Sequence, residues 1–188
     1  VGDYRRLATT IDDAAGEAFD KAAKLLGLGY PGGPAIEALA RDGDPNAVPL
    51  PRPLVGSGEP HFSFAGLKGA VQRAVANGEH RPEDLAASFQ QAVLDCMVDR
   101  TRIALAASDA PTLVVAGGVA ANGPLRAALA DLARAEGRAF SVPPAWLCTD
   151  NAAMIAWAGA ERHALGLADP LDVPARARWP LDEGAEKV

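Results

Sequence analysis

The sequence predicts an α/β fold with a largely parallel sheet, and three observations carry that prediction. Short apolar runs alternate with helix-period stretches in the C-terminal half: "TLVVA" (112–116), "NGPLRAALADLARAEG" (122–137), "AFSVP" (139–143) and "TDNAAMIAWAGAERHALG" (149–166). The punctuation fits the elements: Asn122 is a cap, Pro124 a first-turn proline and Gly137 a closing glycine. The composition, 49% hydrophobic and 22% charged over 188 residues, supports a packed core.

In chain order, "DYRRLATTI" (3–11) reads as a strand with Tyr4, Leu7 and Ile11 available for a core. Residues 13–26 repeat Ala14, Ala18, Ala22, Leu25 and Leu26 at a helical period. Asp12 or Asp13 would cap that helix, and Glu17 with Lys21 and Asp20 with Lys24 would pair along it. "PAIEALARDG" (34–43) predicts a short helix begun by Pro34 and ended by Gly43. The Pro- and Gly-dense stretch 44–60 predicts an extended connection and "HFSF" (61–64) a brief strand. Residues 65–78 and 82–107 predict two helices, the second burying Leu85, Phe89, Val93, Met97 and Ile103 or Leu105. "TLVVA" suits a buried strand, and Thr149 or Asp150 would open the last helix.

Composition excludes some function classes. A net charge of −6 argues against broad, nonspecific nucleic-acid binding, though not against a local basic patch. Cys96 and Cys148 are too few for a disulfide framework, which fits a reducing, cytoplasmic setting. No apolar run reaches the length of a membrane span, and no signal peptide is visible. The chain begins at Val1, which suggests a fragment or a processed product.

"LLGLGYPGGP" (25–34) contains Gly27-x-Gly29-x-x-Gly32, the spacing of a dinucleotide fingerprint. That motif needs a strand before it and a helix opening after it. Here a helix precedes, Gly27 reads as its C-terminal glycine, and Pro31 removes a backbone donor. "VVAGGVAANGP" (114–124) sets Gly117 and Gly118 between a strand and a helix. Such a turn offers free N–H groups to a nucleotide, or is simply a tight turn with Asn122 as cap. "LCTDNAAMIA" (147–156) places Asp150 at a helix start, as a cap or as a carboxylate at the ligand-holding edge of the sheet. His61, His80 and His163 form no zinc spacing, and Cys148 has no adjacent base. Arg5, Arg6, Arg176 and Arg178 are phosphate candidates whose ordinary role is solvated surface.

Four stretches considered together carry a resemblance: "IDDAAGEAFDKAAKLLGLGYPGGPAIEALA", "PRPL" with "HFSFAGLKGAV", "VVAGGVAANGPLR" and "CTDNAAMIAWAG", closed by "ARWPLD". In this order they resemble the C-terminal half of the TsaD/Gcp family of tRNA threonylcarbamoyltransferases. The resemblance implies an actin/sugar-kinase/Hsp70-type (ASKHA) lobe. Residues 1–188 would form the C-terminal lobe of a two-lobed protein, without its N-terminal lobe and first strands, and 34–107 would be a helical insertion. It implies transfer of threonylcarbamoyl from threonylcarbamoyl-AMP to N6 of the adenosine beside the tRNA anticodon. It also implies one bound metal ion, iron or zinc.

By residue, the resemblance implies that Asp20 binds the nucleotide, that the Gly33 backbone lies against the nucleoside, and that Glu37 reaches the ribose hydroxyls. Many relatives have Asp at the Glu37 position. Gly117, Gly118 and Asn122 would contact the adenylate, and Asp150 would be a metal ligand. Gly32 would approach the nucleoside alongside Gly33. The histidine pair and the phosphate loop expected of the family are absent from this chain. The chain alone is therefore expected to be inactive, with an exposed sheet edge covered by the N-terminal half of a parent protein or by a second chain. tRNA and TsaB- and TsaE-type proteins are the implied partners. The rival readings are a noncatalytic TsaB-like scaffold and a sugar or acyl kinase of the same superfold. No protease constellation is present.

Overall fold

The computed structural model describes residues 3–177, 182, 184 and 185. Six helices and a two-stranded sheet follow one another as α1 (Ala15–Leu25), α2 (Gly32–Ala40), α3 (Ala65–Asn77), α4 (Pro82–Ala106), β1 (Thr112–Val114), α5 (Gly123–Ala135), β2 (Ala139–Ser141) and α6 (Ala152–Ala164). Single 3-10 turns occupy Gly118–Ala121 and Ala145–Leu147. β1 and β2 pair in parallel, Leu113 opposite Phe140, with α5 as the crossover. The α/β class and the parallel pairing hold, and the sheet is small.

α4 is the spine. Its apolar stripe packs Leu85, Phe89 and Val93 against Phe19 of α1, Ile36 of α2 and Leu67 and Val71 of α3. Phe19 and Phe89 meet edge to face, ring centroids 5.2 Å apart. Further along α4, Leu94 and Leu105 join Leu125, Leu129 and Leu132 of α5 in a second cluster. Met97 touches both clusters, so the helical layer and the small sheet share one spine.

The 44–60 connection is irregular, as expected, and it is pinned to α4 by polar contacts. Val48 N–H donates to Ser88 Oγ at 3.1 Å, and Arg52 Nε pairs with Asp95 Oδ2 at 2.8 Å. Arg100, 1% exposed, donates to Ser57 Oγ, the Glu59 carbonyl and Asp99. The Arg100 hydrogen bond holds the Asp99 carboxyl below its usual range.

Several expectations are corrected. Residues 3–11 form no strand, and with "HFSF" they share one parallel bridge, Thr10 to Phe62. Two backbone hydrogen bonds, Ile11 N–H to Phe62 and Phe62 N–H to Thr9, are too few for a ladder. β1 is not buried: Val114 is 64% exposed and only Leu113 of the strand is half-buried. Neither Asp12 nor Asp13 caps α1, whose N-cap position is Ala14. Asp12 instead accepts from the Phe64 and Ala65 N–H groups at the start of α3, and Asp13 pairs with Lys21 and Lys68. Glu17 does pair with Lys21, at 2.7 Å, but Asp20 turns to Gly32 instead of Lys24. Asn151, not Thr149 or Asp150, caps α6, accepting from Met154 N–H at 3.0 Å. No residue of α6 is buried, and Met154, Ile155 and Trp157 stand exposed.

Gly27 closes α1 as expected. At φ +71° it lets Leu28 N–H reach the Ala23 carbonyl at 2.9 Å and its own N–H reach the Lys24 carbonyl at 3.2 Å. That turn brings α2 back across α1. At the crossing a Cβ on Gly32 would lie 2.6 Å from Asp20 Cα and 2.8 Å from the Phe19 carbonyl oxygen. Gly32→Ala is therefore expected to cost about 2 kcal/mol or more in urea unfolding, because backbone must move. Gly66→Ala, inside α3 with open space around it, is expected to stabilise by about 0.5–1 kcal/mol.

Acid stability follows from Asp13, whose carboxyl the Lys21 hydrogen bond holds below the ordinary value. A carboxyl lowered on folding stabilises above its unfolded pKa, and that contribution fades as pH falls through the folded one. Asp13→Asn should flatten the acid limb of a stability–pH curve measured by urea unfolding and, because Asp13 also raises the Lys21 ammonium, the alkaline limb where lysine titrates, with the two curves parallel between them.

Candidate functional site

All the expected site residues but Asp150 lie along one path through α1, α2 and the start of α5. It begins at Asp20, half-buried on α1. Asp20 Oδ1 accepts from Gly32 N–H at 2.8 Å, so a carboxylate of one helix satisfies the free N-terminus of the next. Asp20 also borders a hollow of about 330 Å3 with Lys21, Lys24, Leu28 and Tyr30. Gly32 is explained by helix crossing, whereas Gly33 beside it has open space where a Cβ would stand.

Gly33 and Glu37 are four residues apart on α2 and so share a face. Glu37 reaches from that face to the start of α5. Its Oε2 accepts from Asn122 Nδ2 at 3.2 Å and from Gly123 N–H at 3.3 Å. A Cβ on Gly123 would stand 3.2 Å from Glu37 Oε1, so a bare glycine permits this approach.

Asn122, 7% exposed, is the knot of the path. Its Oδ1 caps α5 by accepting from Leu125 N–H at 2.9 Å. Its Nδ2 donates to Gln90 Oε1 of α4 at 3.0 Å as well as to Glu37. Helices α2, α4 and α5 thus meet on one amide. The cap reading of Asn122 holds, and its shared hydrogen bonds with Glu37 add a connection that sequence pattern does not reveal.

Immediately before this knot, Gly117 has φ +88°, a conformation that favours glycine, and Gly117 and Gly118 are both exposed with open space beside them. The turn they open contacts α1 through Val119, whose Cγ2 lies 3.4 Å from a Cβ built on Gly16. Backbone N–H groups at such a turn are available to an anionic or hydroxyl-bearing ligand.

Asp150 stands apart. It is exposed, in the loop between the 145–147 turn and α6, next to Asn151. Asn151, with Pro143, Leu147, Met154 and Trp157, lines a second hollow that Tyr4 also borders. Among the described residues no three His, Cys, Asp or Glu side chains gather to hold a metal ion. A transition-metal site ordinarily takes three or four protein ligands. The described residues alone do not fit a resident metal, and Asp150 could be at most one ligand of a larger set.

Two of the remaining candidates make structural contacts. Arg5 donates to the Ala107 carbonyl at 3.3 Å, and His61 Nδ1 accepts from Thr9 N–H at 3.3 Å. Burial and the neighbouring Asp95 push the Cys96 thiol up to about 11, so it is inert at neutral pH. Arg178 and most of the "ARWPLD" motif lie outside the described residues. Two residues escaped the sequence reading: Gln90, hidden in a long helix, and Arg126, one of many arginines. Only the position of Gln90 facing the α5 cap marks it, and that requires the tertiary fold.

Comparison with known proteins bears on these positions. The family model of TsaD, tRNA N6-adenosine threonylcarbamoyltransferase, matches residues 1–157. A tRNA N6-adenosine threonylcarbamoyltransferase of Sphingopyxis alaskensis is 75% identical over the whole chain, which covers 55% of that protein. Those of Novosphingobium aromaticivorans and Erythrobacter litoralis are 70% and 67% identical, again over the whole chain and 54% and 55% of their own length. The chain spans about half the length of these curated relatives.

Two substitutions test the knot itself. Asn122→Ala removes the cap, strands the Gln90 acceptor and leaves Glu37 with the Gly123 N–H, and should cost about 1–2 kcal/mol in thermal or urea unfolding. Asn122→Asp keeps the cap oxygen but sets a second carboxylate beside Glu37. Such a pair binds a proton more tightly when folded, so this variant should match the parent best at low pH and fall below it as pH rises through the carboxylate range.

Proposed function

The chain belongs to the TsaD family, and we propose that it forms the adenylate-binding wall of a tRNA N6-adenosine threonylcarbamoyltransferase. The observation that carries this reading is the meeting of Glu37 with Asn122 and Gly123 at the start of α5, next to the open Gly117–Gly118 turn. A helix start with exposed glycine backbone and an anchored carboxylate can hold both ends of a nucleoside monophosphate: N–H groups for oxygen acceptors, a carboxylate for hydroxyl donors.

In this reading Glu37 accepts from the ribose hydroxyls through Oε1, while Oε2 stays with Asn122 and Gly123. The Gly33 backbone lies against the nucleoside, and Asp20 borders the hollow beside it. Asn122 holds Glu37 and the α5 start in register. The Gly117–Gly118 turn receives the remainder of the adenylate. The reaction is transfer from threonylcarbamoyl-AMP to tRNA. N6 of the adenosine beside the anticodon bonds to the carbamoyl carbon, the bond from that carbon to the phosphate oxygen breaks, AMP leaves and N6 loses a proton. The chain's contribution is positional: it fixes the adenylate so that the carbonyl faces the incoming amine.

The same reading assigns the chain to an ASKHA-type lobe with 34–107 as a helical insertion. The opposing wall would come from the part of the relatives' length that this chain does not span. Asp150 would be one carboxylate of an iron or zinc site completed by that part. tRNA is the acceptor and TsaB- and TsaE-type proteins are the partners, in the cytoplasm. No helix among the described residues is long and apolar enough to cross a membrane. A scaffold of the same fold would have no use for an anchored Glu37 beside an open glycine turn.

The test is the complete protein, reconstituted with its partner proteins, tRNA and threonylcarbamoyl-AMP, assayed for N6-threonylcarbamoyladenosine by nucleoside mass spectrometry. Product should form. Glu37→Gln should weaken binding of the adenylate by about tenfold, the worth of a charge-assisted hydrogen bond. Asp150→Ala should lose bound metal while keeping its fold. Tight adenylate binding by the Gln variant, or unchanged metal content in the Ala variant, would remove the role assigned to that residue. A parent protein that binds no adenylate would favour the scaffold reading.

A further inference from the structure

We infer that Arg126 is a positioning residue: it sets the loop that carries Asp150 at a fixed distance from the Gly117–Gly118 turn. This rests on the functional reading above. Arg126 lies in the first turn of α5 and is half-buried. Its Nε donates to the carbonyl of Ala120, in the 3-10 turn that follows Gly117. Its Nη2 donates to the carbonyl of Pro143, just past β2, and lies 3.6 Å from Cys148 Sγ. One planar cation therefore spans the glycine turn, the exit of the sheet and the segment that leads to Asp150.

Among the described residues the loop has few other contacts to fix it. Between residues 142 and 165 Cys148 alone is buried, and Cys148 is the residue Arg126 touches. The further hydrogen bonds that shape the loop are internal: Cys148 Sγ to the Pro143 and Pro144 carbonyls, and Asn151 Nδ2 to the Leu147 and Thr149 carbonyls. They give the loop its shape, and its 145–147 turn also packs against the 118–121 turn. α6, which follows, buries nothing. The relation between the glycine turn and Asp150 thus rests on that packing and on the guanidinium that clamps both segments.

The residue type matches the task. A guanidinium holds its donors in a rigid fork and stays charged, so it can satisfy two carbonyls on different segments without rearranging. A lysine ammonium reaches one of them at a time from a flexible stem. The side chains of Asp20, Glu37 and Asn122 make their hydrogen bonds without the Arg126 guanidinium. The strut should therefore govern the placement of the loop during transfer more than the affinity for the adenylate.

The experiment compares Arg126→Lys with the parent in the complete, reconstituted protein. We expect kcat for threonylcarbamoyl transfer to fall by about tenfold or more, since misplacement of reacting groups acts on rate. The adenylate Kd should change by less than about threefold. Hydrogen exchange should speed up at amides 144–151, while helices 15–25 and 32–40 keep their protection. Cys148→Ser, which leaves both carbonyl acceptors in place, should keep kcat within about twofold of the parent.

A lysine variant with parental kcat and parental exchange would overturn the inference. So would parallel loss of adenylate affinity and of protection in every helix, the mark of a general folding role. A serine variant as slow as the lysine one would move the strut to the thiol and overturn it too. Should the parent itself form no product, the functional reading fails, and exchange at 144–151 still decides whether Arg126 fixes the loop.

Discussion

The amide of Asn122 is the constraint on which the rest of the arrangement depends. Its oxygen closes the start of α5 and its nitrogen serves acceptors from two other helices, with Asn122 itself buried. A buried amide with its oxygen and both amino hydrogens engaged has one orientation, because any flip would face donors with donors. That orientation fixes Glu37, and through Glu37 it fixes α2 relative to the glycine turn. The packing of α4 against both apolar clusters supplies the rigidity behind it. The polar knot sets geometry while the hydrophobic spine provides most of the stabilisation.

A second constraint sits one helix away. α2 can lie close on α1 because Gly32 has no side chain and because Asp20 offers a carboxylate to the bare end of α2. The two constraints act on the same helix from opposite ends. Gly32 and Asp20 place its N-terminus, Glu37 ties its middle, and Gly33 between them is left open. A binding surface made of backbone needs this kind of support, since glycine contributes no packing of its own.

Much of this was legible in the sequence, and the parts that were not share a physical reason. Helical periods, the Gly27 end and the Asn122 cap depend on local rules, and they appear as expected. The strand expected over 3–11 depends on a partner, and a single bridge to Phe62 is what the described residues provide. "TLVVA" has the composition of a buried strand, yet burial is decided by neighbours, and Val114 has few. The Asp12 and Asp13 carboxylates went to α3 and to lysines because acceptors compete for donors in three dimensions. Of the site, Asp20, Gly33 and Glu37 came from motif resemblance, and Gly117, Gly118 and Asn122 also from their setting between a strand and a helix. Gln90 and Arg126 are invisible to pattern because their partners are 32 residues away in one case and spread over three segments in the other.

The most direct measurement of the central claim is amide chemical-shift mapping of the complete, isotope-labelled protein during titration with AMP. The account predicts saturable shifts concentrated at amides 32–37 and 117–123, with helix α3 silent. Saturable binding whose shifts avoid both segments, or no binding at all, would contradict it.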